Sequence, residues 1–208
     1  MNPAEWPWYE VVDDGSLDQG DIIAGCLVLH AVEDETGDAI ADLRPVTALV
    51  VTQTCDLAHS KVESVVVCGV WSLAQAVLQD PGLQREAADT ARKYQLAMPA
   101  ADAPDAEASV QHIISRSKAL KKELNAIMKG ERPAFALLEE RLTVPTQARA
   151  LVNFQQVFSL PRPVLERRAS KAAPRLRLLP PYREHISRAF GQYFARIGLL
   201  QDIPRYPT

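Results

Sequence analysis

Long apolar runs, a secretory leader and paired cysteines are all missing from this chain of 208 residues. No apolar stretch reaches the roughly 18 residues that a membrane-spanning helix needs. The first residues lack the basic and apolar regions of a signal peptide, so we expect none. Three cysteines are too few, and odd in number, for a disulfide framework, which favours a reducing cytoplasm. Membrane, collagen-like, coiled-coil and disulfide-scaffold proteins are excluded.

Short catalytic and ligand-binding motifs are missing as well. No Gly-x-Gly-x-x-Gly, P-loop, Gly-x-Ser-x-Gly or His-Glu-x-x-His is present, so nucleotide-binding loops and standard hydrolase sites have no support. Cys26 and Cys68 lie inside apolar runs, as core thiols do. No Cys-x-x-Cys or His-x-x-x-His pair occurs. We therefore predict no metal and no cofactor.

The net charge of −3 conceals a strong asymmetry. Residues 1–110 hold 5 Lys/Arg and 19 Asp/Glu, whereas residues 111–208 hold 18 Lys/Arg and 7 Asp/Glu. Such a split indicates either a polyanion partner for the basic half or two halves that neutralise each other. A third alternative is that the acidic half binds a basic protein partner.

Hydrophobic patterning predicts an α+β fold in one integrated domain, 1–208. Runs rich in β-branched residues at 22–29, 46–53 and 65–70 predict a small β-barrel or sheet. The β core is expected over 20–72 and 134–179, with a helical insertion at 73–132. An amphipathic helix in 180–208 is expected to pack on that core, and 175–179 to form an edge strand.

Basic side chains accompany two of the predicted helices. A helical stripe of apolar residues runs from Val110 to Met128, and Gly130 follows it. The opposite face carries charged residues, as does the last helix, predicted at 182–197. The candidates for contact with nucleic-acid phosphates are Arg116, Lys118, Lys121, Lys122, Arg183 and Arg188.

A polar turn follows the second predicted strand. It reads Gln53-Thr54-Cys55-Asp56, with His59 four residues after the cysteine. Cys55 would be a nucleophile only if a neighbour stabilised its thiolate, and His59 could face it in a helical turn. Alternatively, Thr54 or Asp56 caps a short helix through its side-chain oxygen, or the polar cluster binds a ligand.

Residues 20–72 resemble the SH3-like barrel of the PemK/MazF toxin family. The resemblance rests on Gly20-Asp21-Ile22-Ile23, on Arg44-Pro45 before a hydrophobic run, and on Val65–Val70 followed by Ser72. That family cleaves RNA with an arginine and a Ser/Thr. The resemblance implies that Arg44 stabilises phosphate charge and that Ser72 takes the hydroxyl position.

A second resemblance is to a group of uncharacterised bacterial proteins. It rests on the Gln53–Asp56 turn together with Pro181-Tyr182-Arg183-Glu184-His185 and a later Arg196-Ile197-Gly198-Leu199. It implies that the last helix packs back on the N-terminal sheet. We hypothesise that Cys55-Asp56 and Arg183/His185 converge on one site. A separation above about 15 Å, too far for two side chains to share a ligand, would contradict this.

These patterns lead to three function hypotheses. The first is a bacterial cytoplasmic nucleic-acid-associated or toxin/defence-type accessory protein, whose basic half contacts phosphates. The second is an enzyme with a site at Cys55 or an Arg44 phosphate site, similar to a ribonuclease or a hydrolase. The third is a protein-protein interaction module.

Overall fold

The computed structural model describes residues 7–33, 36–59, 61–101, 103–141 and 148–195. This part of the chain contains seven strands and seven helices. The strands are β1 (Tyr9–Val12), β2 (Asp21–Glu33), β3 (Ala39–Val50), β4 (Ser64–Ser72), β5 (Phe135–Leu138), β6 (Ala150–Pro161) and β7 (Arg175–Leu178). The helices are α1 (Thr54–Ala58), α2 (Leu73–Gln79), α3 (Pro81–Tyr94), α4 (Ala106–Arg116), α5 (Lys118–Met128), α6 (Arg162–Lys171) and α7 (Tyr182–Phe194).

All seven strands belong to one antiparallel sheet, in the order β1-β7-β2-β3-β4-β6-β5. In the described part of the chain β1 and β5 are the two edges, and they do not pair with each other. The α+β prediction is confirmed. Closure into an SH3-like barrel is not confirmed, because the sheet is open.

Strands β2 and β3 continue beyond their neighbours as a two-stranded ribbon. Strand β2 pairs with β7 only at Asp21 and Ile22, and β3 pairs with β4 only over 47–50. A bulge at Gly25, whose φ is +67°, changes the direction of β2 at the start of the ribbon. The ring of His30 lies 5.8 Å from that of Phe158 on β6. The ribbon therefore bends back over the sheet.

The two faces of the sheet are covered by different helices. One face, which includes Leu49 and Phe154, packs against α7. The rings of Phe154 and Phe190 pack edge to face, with 5.9 Å between their centroids. The other face, which includes Ile23 and Val67, packs against α6 through Leu165. Alternate residues of each strand point to opposite faces, so the β-branched runs of β3 and β4 fill both cores.

Helices α2 to α5 form a separate apolar cluster that adjoins β5 and β6 through Phe135 and Leu151. The single stripe predicted from Val110 to Met128 is divided between α4 and α5. Buried Ser117 breaks it: its backbone is extended, with ψ of 115°, and its hydroxyl accepts a hydrogen bond from the Leu120 amide. A side-chain cap restarts the helix there. Gly130, with φ of +73°, follows α5.

Strand β7 was predicted at an edge of the sheet, and that prediction is wrong. It lies between β1 and β2, because the segment that contains Tyr9 forms a strand that the sequence did not indicate. The ring of Trp8 stacks on that of Tyr182 of α7, with 3.9 Å between their centroids. The aromatic N-terminal segment is therefore fixed between β7 and α7. Arg196 to Leu199, which carried part of the second resemblance, lie outside the described residues.

Candidate nucleic-acid interface

Arg44 borders a polar cleft of about 310 Å³, and Gly25 at the bulge of β2 also lines it. The lining offers one guanidinium, one imidazole, one indole and three side-chain amides. They belong to Arg44, His30, Trp71, Gln75, Gln79 and Gln156. Amide groups both donate and accept hydrogen bonds, and the indole offers a flat apolar surface. Such a lining suits a planar polar group attached to an anion.

A bulge in the β4–β6 pair shapes this cleft. Three residues of β6 are inserted between the pairs Cys68–Val157 and Gly69–Asn153. Gln156 lies over Gly69, where a Cβ atom would stand 2.6 Å from its Oε1. That same oxygen accepts a hydrogen bond of 2.8 Å from Trp71 Nε1. Gly69 thus makes the space in which Gln156 fixes the indole.

Arg44 and His30 lie on the same face of the ribbon. Arg44 is opposite Val28, and His30 is opposite Asp42, two residues along each strand. Arg44 is 56% exposed, and its Nε donates to Asp42 at 2.6 Å. The Nε2 atom of His30 is buried and has no hydrogen-bond partner among the described residues. His30 was not among the predicted site residues, because only the strand register brings it beside Arg44.

Ser72 has a structural task at the start of α2. Its hydroxyl oxygen accepts a hydrogen bond of 3.1 Å from the backbone N–H of Gln75. In return, the side-chain oxygen of Gln75 accepts one of 2.9 Å from the backbone N–H of Ser72. This capping box satisfies two free amides of the helix. Ser72 borders a second cleft of about 320 Å³, which shares Thr47, Val70 and Gln75 with the first. Arg44 and Ser72 therefore belong to neighbouring clefts.

The polar turn after β3 forms the short helix α1. Gln53 is the N-cap residue, and no side chain caps the helix. Exposed Cys55 has its sulfur 3.6 Å from Gln53 Oε1 and 3.8 Å from Asp56 Oδ1. Neither neighbour supplies the positive charge that stabilises a thiolate. His59 meets Cys55 through its backbone, whose N–H donates to the Cys55 carbonyl at 3.3 Å. Thr54 Oγ1 is buried and finds no hydrogen-bond partner in the part of the chain that the structure describes.

The C-terminal helix approaches the end of β3 through Gln19. The Gln19 amide donates to Ser187 Oγ at 2.6 Å and to the Val51 carbonyl at 3.5 Å. Arg183 pairs with Glu184 at 2.8 Å and lies 4.0 Å from Asp18. His185 and Arg188 are exposed. Convergence of Cys55-Asp56 with Arg183/His185 stays a prediction.

Lysines along α5 form what we call the lysine stripe: Lys118, Lys121, Lys122 and Lys129. All four are exposed, and they line a groove of about 590 Å³. Their spacing places them along one side of the helix. Lys121 donates to the Ser115 carbonyl at 2.6 Å, and none of the four pairs with a carboxylate of the described residues. Arg116 is exposed at the end of α4.

Several other basic residues of the second half pair with acids of the first half. Arg175 and Arg177 bind Asp21, with N–O distances of 3.0 and 2.6 Å. The Nη2 atom of Arg132 lies 3.9 Å from Oδ1 of Asp80. The two halves therefore neutralise each other around β7 and beside α5, but not along the lysine stripe. Lys129 belongs to that stripe but was not among the predicted phosphate contacts, because it lies one residue beyond Met128, where the apolar pattern ends.

Burial affects the other two cysteines. It raises the pKa of Cys26 to about 11 and that of Cys68 to about 12. Within the described residues, no group of three or more His, Cys, Asp or Glu could hold a metal ion. No helix there is long and apolar enough to span a bilayer.

Comparison with protein-family models gives no match, and neither does comparison with curated proteins. The lysine stripe and the cleft at Arg44 are therefore the two candidate sites of the described residues.

Proposed function

We propose that the protein binds nucleic acid, with the lysine stripe as its main phosphate contact. The observation that carries the proposal is a set of four exposed lysines beside a groove, none paired with a carboxylate of the described residues. Unpaired ammonium groups release counterions from nucleic acid when they bind its phosphates, which drives association. Arg132 and Glu123, also in the groove, pair with each other at 2.7 Å. Glu131 is the other acidic residue of the lining, so four lysines face one further carboxylate and the groove stays basic.

The cleft at Arg44 gives this proposal a second contact. Its glutamines can hydrogen-bond to base edges, and Trp71 offers a stacking surface. These properties favour a single strand, whose bases are accessible, over a duplex. Cytoplasmic location is supported by three free thiols. A toxin- or defence-type role stays a prediction from the PemK/MazF resemblance.

The test measures binding of labelled single-stranded RNA and duplex DNA at two salt concentrations. Four lysine–phosphate contacts to a single strand predict about a 50-fold loss of affinity for a fourfold rise in salt. Replacing all four stripe lysines with Gln should remove most of this dependence. The control replaces Lys61, Lys93 and Lys171, which are exposed and lie elsewhere. If the control variant loses as much affinity per charge removed as the stripe variant does, the lysine stripe is not the interface.

A second candidate function is RNA cleavage at the Arg44 cleft. It is favoured by His30, a titratable group on the same face of the ribbon as Arg44. Arg44 would stabilise charge on the phosphate, and His30 would exchange a proton with the ribose hydroxyl. The capping role of Ser72 leaves it poorly placed for the hydroxyl function.

The binding assay also tests cleavage, because strand length is recorded in the same reactions. RNA cleavage by the wild type that is lost in Arg44→Ala or His30→Gln would establish the protein as an enzyme. Intact strands with salt-sensitive binding would exclude it. A Cys55-dependent activity is tested by Cys55→Ala, whose side chain is exposed and outside the core. If neither binding nor cleavage occurs, the interaction-module hypothesis takes precedence.

A further inference from the structure

The outer edge of β2 is unusually open for a natural sheet. Beyond Ile22 no strand of the described residues pairs with it. Residues 26–32 of this edge contain no Asp, Glu, Lys, Arg or Pro. The opposite edge of the ribbon carries Asp42, Arg44 and Pro45. Charged residues and proline at a sheet edge disfavour the addition of another strand. The ribbon is thus protected on one edge only.

The unprotected edge has an apolar surface beside it. Leu27 is 58% exposed and Leu29 65% exposed, and both point to the outer face of the ribbon. Leu43, opposite Leu29, is 61% exposed. An apolar cleft of about 250 Å³ lies between Leu27 and α6, where Val164 is 45% exposed. Contiguous apolar exposure of this kind marks an interaction surface.

Three cations border this cleft: Arg167, Arg168 and Lys171. None pairs with a carboxylate of the described residues. Arg168 donates from Nε to the Ala24 carbonyl at 2.7 Å and lies against Gly25, where a Cβ would stand 2.2 Å from its Nη2. The glycine bulge therefore makes room for a guanidinium at the start of the open edge.

We propose that this edge binds an extended acidic segment of a partner protein as an added strand. Backbone groups of β2 would pair with the segment, its apolar side chains would fill the cleft beside Leu27 and Val164, and its carboxylates would meet Arg167 and Lys171. Strand addition of this type draws affinity from main-chain hydrogen bonds and specificity from alternate side chains. The three cations determine the sign of the partner's charge.

The probe is a labelled, acetylated eight-residue peptide in which glutamate alternates with leucine. Two comparison peptides carry lysine for glutamate or serine for leucine. We expect the acidic peptide to bind at about 50 mM salt, with weaker binding at higher salt because exposed charges are screened. Reversing Arg167 and Lys171 to Glu should weaken it by about tenfold or more. Leu27→Thr, which keeps strand propensity, should weaken it as well.

The matched control is Arg85→Glu with Lys93→Glu on α3, which changes the same charge at exposed positions. Its affinity for the acidic peptide should match that of the wild type. The proposal is overturned if the acidic peptide does not bind at about 1 mM. Equal binding of the lysine peptide would also overturn it. A dimer in sedimentation that Leu27→Thr converts to monomer would assign this surface to a second copy instead.

Discussion

Asp21 is the buried charge whose removal should be most costly to the fold. Its side chain has no solvent exposure, and it accepts hydrogen bonds from Arg177 at 2.6 Å and Arg175 at 3.0 Å. The Asp18 amide donates to it at 3.0 Å. The Arg175 side chain is 2% exposed. Asp21→Asn keeps the size of the side chain but removes the only carboxylate in the described residues that pairs with Arg175.

The expected cost follows from the Arg175 guanidinium, which would keep its hydrogen bonds to the Asp14 and Ser16 carbonyls but lose its counter-charge. Breaking a buried ion pair by neutralising one partner costs about 3–5 kcal/mol. For a chain of this length, that corresponds to a fall of roughly 6–20 °C in melting temperature. Urea unfolding followed by circular dichroism measures the free energy of unfolding directly.

Exposed Asp13 supplies the control, because Asp13→Asn should change stability by no more than about 0.5 kcal/mol. Asp21→Asn combined with Arg175→Met should be less destabilising than the sum of the single changes, since the orphaned charge is gone. A loss below about 1 kcal/mol for Asp21→Asn alone would refute the reasoning, because Arg175 would then be solvated or paired by other means.

Two further predictions concern Ser72 and the cysteines. Ser72→Ala should lower the free energy of unfolding by about 1 kcal/mol through loss of the α2 cap, while leaving nucleic-acid binding intact; loss of RNA cleavage without loss of stability would instead assign its hydroxyl to catalysis. At pH 8 a thiol reagent should modify Cys55 rapidly and the other two cysteines slowly, because burial raises the pKa of Cys26 to about 11 and of Cys68 to about 12 and keeps both protonated. Cys55→Ser should abolish the rapid phase, and a second rapid thiol in that variant would contradict the burial of the pair.

Strong local patterns predicted most of the elements of this fold. The β-branched runs of β2, β3 and β4 and the aromatic stripe of α7 each bury an apolar surface that their own spacing reveals. The break at Ser117 escaped detection because apolar spacing continues through it, and only the hydroxyl cap separates the helices. Strand β1 escaped because its four residues gain their role from pairing with β7, far along the chain.

The candidate site was predictable only in part. Arg44 and three lysines of the stripe stand out by charge, but charge alone does not tell which cations find partners. Arg183 was grouped with those lysines, yet it meets Asp18 and Glu184. His30, Trp71 and the glutamines became visible only through strand register and the β6 bulge, which depend on contacts distant in sequence.

The position of β7 between β1 and β2 has a consequence for synthesis of the chain. Asp21 and Arg175 stand 154 residues apart. At ribosomal rates of 5–20 residues per second, roughly 8–30 s separate the appearance of the carboxylate from that of its guanidinium partner. During that interval Asp21 and Ile22 lack the strand that pairs with them in the folded protein, and the Asp21 carboxylate lacks both guanidinium partners. We therefore expect the nascent N-terminal half to depend on ribosome-associated chaperones until the last strand is made.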